Sequence, residues 1–354
     1  MSDYLFKDSF KRYKVATSAD ADLLANMRQR YTSAAGFAID NTGGLSGSRV
    51  ELFLQNGAIA KTTPHAARWV VGHRYRYLST ALSNGSIYEL FNNDVLLAIL
   101  RQNVDGTLSM LTNNGATSLL VTDRSLFSNT RYMLEWDIQL TGGTPITCAV
   151  ELRINGHVEG SGSASSGINA SSLLSFPTTG GVDANRHKFS AAAGGAGTGS
   201  WITDLYLKNY ASYEGDIRNV PLYPASDGGI LDWTPNSGST HFDRVNTHPV
   251  DITKFLKTAT PGDIDLWGFD SLPAFSGTIL GLNISVLVQK DDEGTKSFKI
   301  VVGSTGTDAE SDEFFVSTTN PEYYEFSLKL DPATGLAWTA AGVNALIAGV
   351  KCIS

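Results

Sequence analysis

From residue 36 onward, hydrophobic and polar positions alternate with a period of two, the spacing of strands that bury one face and wet the other. The clearest pair lies at 131–140 and 147–155. In the first, Tyr132, Leu134, Trp136, Ile138 and Leu140 share one face, while Glu135, Asp137 and Gln139 share the other. In the second, Cys148, Val150, Leu152 and Ile154 oppose Glu151, Arg153 and Asn155. Further runs at 36–40, 49–54, 58–62, 68–78, 87–92, 95–102 and 107–111 also read as strands. Asn56-Gly57, Asn84-Gly85, Asn92-Asn93 and Asp105-Gly106 supply turns between them, because these residues tolerate positive φ.

A second alternating series occupies 266–272, 278–288, 297–303, 313–317, 323–330 and 350–353. In it Leu280, Leu282, Ile284, Val286 and Val288 form one face, answered by Phe298, Ile300 and Val302, with Asp292-Glu293-Gly294 as the expected hairpin tip. Two stretches break the period. Ser18 caps a predicted helix over 18–30 with Leu23, Leu24 and Met27 on one side. Thr339 caps a short one carrying Val343, Leu346 and Ile347, which Gly349 stops. The two series meet at 199–233: residues 201–207 close the first, the Gly-Asp-Ile-Arg turn at 215–218 with Pro221 and Pro224 leads away, and Ile230 to Trp233 opens the second. The pattern therefore predicts an all-β chain of two sandwiches. The first spans 1–208 with an N-terminal anchoring segment, 209–229 is a linker, and 230–354 is a smaller sandwich with a short helix near its C-terminus.

Composition narrows the function classes. A chain of 354 residues exceeds the usual single-domain size, and 35 glycines with 18% charged residues suit short strands and tight turns. A net charge of −8 argues against nucleic acid as a partner, since phosphate binding needs a Lys/Arg surface. No stretch is apolar enough to insert in a membrane, and the start, MSDYLFKDSF, has no signal-peptide pattern, so synthesis in a cytoplasm is expected. Cys148 and Cys352 are expected to be reduced thiols.

Several stretches carry a family resemblance: FKDSFKRY at 6–13, RWVVGHRYRY at 68–77, RYMLEWDIQL at 131–140, VELRINGHVE at 150–159, and SWITDLYLKN with YEGDIR up to Arg218. With them the N-terminal half resembles the concanavalin A-like (laminin-G-like) jelly rolls of tailed-bacteriophage virion proteins. DWTPNSGSTHFDRVN at 232–246, GDIDLWGFDSLP at 262–273, KDDEGTKSFKIVV at 290–302 and DPATGLAWTAAGVNALIAGVK at 331–351 are similar to the module that follows it. The resemblance implies two jelly-roll-type sandwiches in a non-enzymatic virion component, used for capsid decoration, head spike, collar or tail attachment. Its expected partners are other virion proteins, further copies of itself in a homo-oligomer, and host surface polysaccharide. The alternative is a carbohydrate-binding protein or an inactive relative of jelly-roll glycosidases.

That alternative has its own residues. Glu135-Trp136-Asp137-Ile138-Gln139 is similar to the E-x-D-x-E strand of retaining β-glucanases, whose alternate carboxylates line the sugar cleft. Retention needs two carboxyl groups about 5 Å apart. Gln139 ends the pattern without an ionisable group, so no catalytic residue is expected, and Glu135, Asp137 and Gln139 are candidates for glycan binding or a solvated strand face. Tyr206, Tyr210 and Tyr213 are expected to be exposed and to serve an interface, where amphipathic tyrosines are enriched. Trp69, Tyr75, Tyr77, Trp201, Trp233, Trp267 and Trp338 are of a type that can stack on sugar rings, but most sit in alternating patterns that make them core residues. The six histidines lack ligand spacing, so no metal site and no cofactor is expected. Calcium stays open, because laminin-G-like domains can bind it between loops and Asp263, Asp265, Asp291, Asp292 and Glu293 read as acidic loop residues without an EF-hand pattern.

Overall fold

The computed structural model describes residues 6–8, 31–40, 51–78, 84–112, 115–142, 145–168, 183–191, 199–209, 213–215, 217–247, 250–292, 294–303, 306, 308–316 and 319–354. The expected helix at 18–30 lies outside them. The chain divides between Asn219 and Val220 into two compact units. Both are all-β and of the jelly-roll sandwich class, as the alternation requires.

In the first unit the strands are β1 (Phe6–Asp8), β2 (Ser33–Asp40), β3 (Glu51–Ala66), β4 (Arg68–Leu78), β5 (Gly85–Asn92), β6 (Val95–Gln102) and β7 (Leu108–Thr112). They continue with β8 (Thr117–Val121), β9 (Tyr132–Thr141), β10 (Thr147–Ile154), β11 (His157–Ser165), β12 (Ala184–Ser190) and β13 (Gly199–Lys208). They form one antiparallel ladder in the order β11-β10-β9-β4-β13-β3-β12-β5-β6-β7-β8, with β1 on β13 and β2 on β3. The long strand β3 joins the two layers. Leu52–Leu54 pair with β13, and Ala58–Ala66 pair with β12. The expected hairpin at Asn56-Gly57 is therefore absent. The strand runs through these residues because β2 pairs along both sides of them, from Asp40↔Glu51 to Ser33↔Ala60, so tertiary pairing overrides the local turn preference. The two ends of the ladder meet where Gly162 lies against Leu119: a Cβ there would stand 1.9 Å from the Leu119 carbonyl oxygen.

The predicted inward faces form the core. Trp69, Val71 and Tyr75 of β4, Leu134, Trp136 and Ile138 of β9, and Cys148, Val150 and Leu152 of β10 are all buried in one cluster. Each such side chain contributes about 1.5–3 kcal/mol on burial. Two histidines lie in the same interior. His73 packs edge-on to Trp136 and Phe189, and its Nδ1 lies 3.1 Å from the Arg74 carbonyl oxygen. His187 Nδ1 lies 2.8 Å from the Tyr88 hydroxyl, whose pKa burial raises well above the ordinary tyrosine value. That hydroxyl donates, so the His187 proton belongs on Nε2, facing Thr63 Oγ1 at 3.3 Å, while Thr63 donates onward to the Asn185 carbonyl. Burial lowers the pKa of His73 to about 4 and that of His187 to about 3.

The second unit holds β14 (Pro224–Leu231), β15 (Thr234–Pro235), α1 (Phe242–Val245), β16 (Leu256–Lys257), β17 (Ile264–Phe269), β18 (Leu282–Val288) and β19 (Lys296–Val302). After these come β20 (Ala309–Glu310), β21 (Phe314–Val316), β22 (Glu322–Leu328), α2 (Ala340–Asn344) and β23 (Ile347–Cys352). One sheet runs β14-β17-β23-β19-β20 with β21 on β19, and β18 pairs β22. Its core joins Trp267, Phe298, Ile300, Val316 and Val350 to Ile284, Val286, Val288, Tyr324 and Phe326 from the β18–β22 pair. The expected β18–β19 hairpin is thus replaced by two strands in different layers, facing each other through their side chains. The cap of α2 is the expected one, with Thr339 accepting from the Gly342 amide. Gly349 does not stop the helix. It lies inside β23, where a Cβ would meet the Asp265 carbonyl oxygen at 1.8 Å, so glycine permits the close β17–β23 approach. Cys148 and Cys352 are free and buried.

Both core histidines have folded pKa values depressed below the ordinary 6.5. Their contribution to stability is therefore complete above pH 6.5 and is lost as pH falls towards 4 and 3. Urea unfolding of the first unit should lose about 1.4 kcal/mol per pH unit for each histidine between pH 6 and 4.5. The variant His73→Phe should roughly halve that slope, and a slope equal to wild type contradicts the assignment.

Candidate functional site

The second face of β10, β9, β4 and β13 carries the residues singled out from the sequence. Its geometry starts from a one-residue bulge in β13. The register steps from Thr203↔Arg74 to Tyr206↔Gly72, and Asp204 takes φ 52°. Aspartate tolerates this left-handed conformation better than most residues. An extra residue reverses the facing of everything after it. Ile202 before the bulge and Leu205 and Leu207 after it all enter the core, and Tyr206 and Lys208 are sent to the opposite face. Asp204 itself forms an ion pair with Arg74, Oδ2 to Nε 3.1 Å, and its Oδ1 accepts from the Asn219 amide at 2.9 Å.

On that face Tyr206 lies over Gly72. An alanine Cβ there would come within 2.2 Å of the ring, so glycine is required by space alone. The Tyr206 hydroxyl donates to Glu135 Oε1 at 2.6 Å. The same oxygen accepts from the backbone amides of Glu214 at 3.0 Å and Gly215 at 2.8 Å. Tyr213, Glu214, Gly215 and Ile217 thus form a strap over the sheet. Ile217 packs on Val70, Met133 and Tyr206, and the Glu214 carboxylate pairs with Lys208, whose side chain is 0% exposed. Burial and the Glu135 charge push the Tyr206 hydroxyl far above the ordinary tyrosine range, so it remains a donor. Glu135 Oε2 is buried and has no hydrogen-bond partner among the described residues.

Beside the strap the face is half open. Arg68 Nε donates to both Asp137 oxygens at 3.0 and 3.2 Å, and this bond raises the Arg68 pKa. Arg153 Nε donates to Glu151 at 2.8 Å, and its guanidinium sits 3.9 Å from the Tyr213 ring centroid. The Tyr213 hydroxyl donates to the Glu151 carbonyl at 3.2 Å, and burial raises its pKa. Gln139, next along β9, is exposed.

Of the sequence candidates, Glu135 and Asp137 do share a face with Gln139, but only Gln139 is solvated. Glu135 is 0% exposed, because the strap covers it. Tyr206 is buried where an exposed residue was expected, Tyr213 is half-buried against Arg153, and Tyr210 lies outside the described residues. Arg68, Arg153, Lys208 and Glu214 were missed. The available signal was that Ile202, Leu205 and Leu207 cannot share a face without a bulge.

Among the described residues of the second unit, His241 and Asp265 form a buried ionisable pair. His241 Nδ1 is 2.7 Å from Asp265 Oδ2, which also accepts from the Trp233 amide at 3.2 Å. Asp265 is fully buried in β17 rather than in an acidic loop, and burial raises its carboxyl pKa to about 6. Among the described residues no three His, Cys, Asp or Glu side chains converge on a metal position.

No protein-family model and no curated protein sequence matches the chain. Solved structures do. An alginate lyase from Aplysia kurodai is 11% identical over 58% of this chain and 99% of its own, with a TM-score of 0.41. An endo-β-1,4-glucuronan lyase from Trichoderma reesei is 7% identical over 58% and 96%, with a TM-score of 0.36. The cellulose-induced protein Cip1 is 13% identical over 58% and 97%, with a TM-score of 0.37. At these values no substrate and no catalytic residue passes to this chain. Two of the three are enzymes, however, so the expectation of a non-enzymatic protein is withdrawn. None of the three is a virion protein.

Two measurements check this geometry. Glu135→Ala removes the shared acceptor of three donors and should cost about 2–4 kcal/mol in urea unfolding, whereas Glu135→Gln keeps an acceptor oxygen and should cost less. Equal losses would contradict the shared-acceptor role. For Asp265, a carboxyl-carbon NMR titration should show a midpoint near 6. Because this folded pKa lies above the unfolded one, its stabilisation is present below pH 4 and lost as pH rises through 6. A midpoint below 4 would contradict the buried environment.

Proposed function

We propose that the chain is a carbohydrate-binding β-sandwich protein whose ligand lies on the outer face of β10, β9 and β4. The observation that supports this is the half-exposed row of Gln139, Arg68, Arg153 and Tyr213. Sugar recognition requires planar hydrogen-bonding groups held beside an aromatic ring. Here Asp137 orients Arg68, Glu151 orients Arg153, and Arg153 stacks on Tyr213. Groups already fixed by such partners lose little entropy when a ligand is bound.

The finer placement is a tailed-phage virion component, homo-oligomeric and meeting host surface polysaccharide. It is supported by the sequence resemblance at 6–13, 68–77 and 131–140. The two readings are compatible, since a particle component that attaches to a host needs a glycan-recognising face.

Titration of the full chain against a panel of neutral and acidic oligosaccharides tests the binding reading. At least one should bind, and Arg153→Ala and Gln139→Ala should each weaken it by about tenfold, equivalent to about 1.4 kcal/mol, without lowering the melting temperature of the first unit. Reducing-end release in the same mixtures separates cleavage from binding. A folded protein that binds no member of the panel contradicts the proposal.

A further inference from the structure

Under the strap lies a nucleophile that the outer row does not use. Lys208 is the one buried lysine among the described residues, and its amine meets the carboxylate of Glu214. The other ion pairs of this face, Arg68 with Asp137, Arg74 with Asp204 and Arg153 with Glu151, rest on guanidinium groups, which stay charged and do not attack carbonyl carbon. Lysines paired with glutamate elsewhere are wet: Lys188 beside Glu89 keeps 34% side-chain exposure and Lys299 beside Glu310 keeps 28%, against 0% for Lys208. A second carboxylate stands next to this pair. Glu135 Oε1 is held by the Tyr206 hydroxyl and by the Glu214 and Gly215 amides, while its buried Oε2 has no hydrogen-bond partner among the described residues.

We propose that Lys208 and Glu214 condense into an intramolecular amide, with Glu135 as the proton relay. Glu135 Oε2 takes a proton from Lys208 Nζ and passes it to the Glu214 carboxylate. The free amine attacks Glu214 Cδ and forms the C–N bond. A second Nζ proton passes through Glu135 to the departing oxygen as the C–O bond breaks. One water is released, Glu135 ends as the carboxylate it began as, and no cofactor or oxidant is consumed. Two features of the site favour the step. A buried ion pair carries a desolvation cost that a neutral amide does not. Reacting groups held in contact by a fold reach effective molarities of about 10⁵–10⁸ M, which offsets the unfavourable condensation of free amine and acid in water. The Glu214 side chain keeps 14% exposure, so the released water has a way out. The bond ties the end of β13 to the strap and so fixes Tyr213, the residue before Glu214, beside Arg153. It forms without any ligand and does not depend on the sugar-binding reading.

The test is mass spectrometry of the denatured full chain, intact and after trypsin. The intact mass should fall short of the sequence mass by one water. Trypsin should fail to cut after Lys208, giving one peptide from Phe189 to Arg218 that lacks one water, with fragmentation placing the link between Lys208 and Glu214. Peptides bearing Lys188 and Lys299 should be unmodified. Lys208→Arg keeps the charge but cannot condense and should restore the full mass. Glu135→Gln removes the relay and should slow bond formation by about a hundredfold or more, so the freshly purified variant should carry the full mass. Cleavage after Lys208 with no loss of water overturns the proposal, as does a water loss that maps to any other residue pair. A Glu135→Gln protein linked as completely as wild type overturns the relay. Should either variant not fold, the wild-type peptide decides alone.

Discussion

A carboxylate enclosed by protein must be met by donors, and Glu135 sets this requirement for the whole outer face of the first unit. Tyr206 and two backbone amides of the strap converge on one of its oxygens. Tyr206 can reach it only because the Asp204 bulge turns that residue away from the core and Gly72 leaves room for its ring. The strap in turn stays down through Ile217 on Val70 and Met133 and through Glu214 on Lys208. These groups share donors and acceptors in a low-dielectric setting, where such networks act as a unit.

The interior follows a different rule. There the alternating apolar residues carry the stability, and the polar groups are few and kept neutral. His73 and His187 are held unprotonated by burial, and the chain Tyr88, His187, Thr63 and Asn185 passes each proton to a defined acceptor. The second unit is built alike, with Asp265 under His241 as its enclosed carboxylate.

Much of the fold was legible in the sequence because period-two alternation is a local property. β6 falls on its expected residues, and the core faces of β9 and β10 are those read from the pattern. What failed was non-local. Asn56-Gly57 is a strong hairpin signal, yet β2, β13 and β12 all pair with the strand that contains or flanks it. The acidic face of β9 looked solvated because nothing in residues 135–139 announces that a segment eighty positions later lies across them. Ile202 followed by Leu205 and Leu207 did contain the bulge, as an apolar spacing that breaks phase. The outer-row arginines were invisible for a related reason: Arg68 and Arg153 matter only beside Asp137 and Tyr213, which strand pairing and the strap bring to them.

The central claim is that sugar lies on this particular face. The most direct measurement is amide chemical-shift mapping of the isotope-labelled full chain during titration with the tightest-binding oligosaccharide. Shifts concentrated at Gln139, Arg153, Tyr213 and their strand neighbours are the predicted result. Shifts confined to β5, β6 and β7 or to the second unit would contradict it.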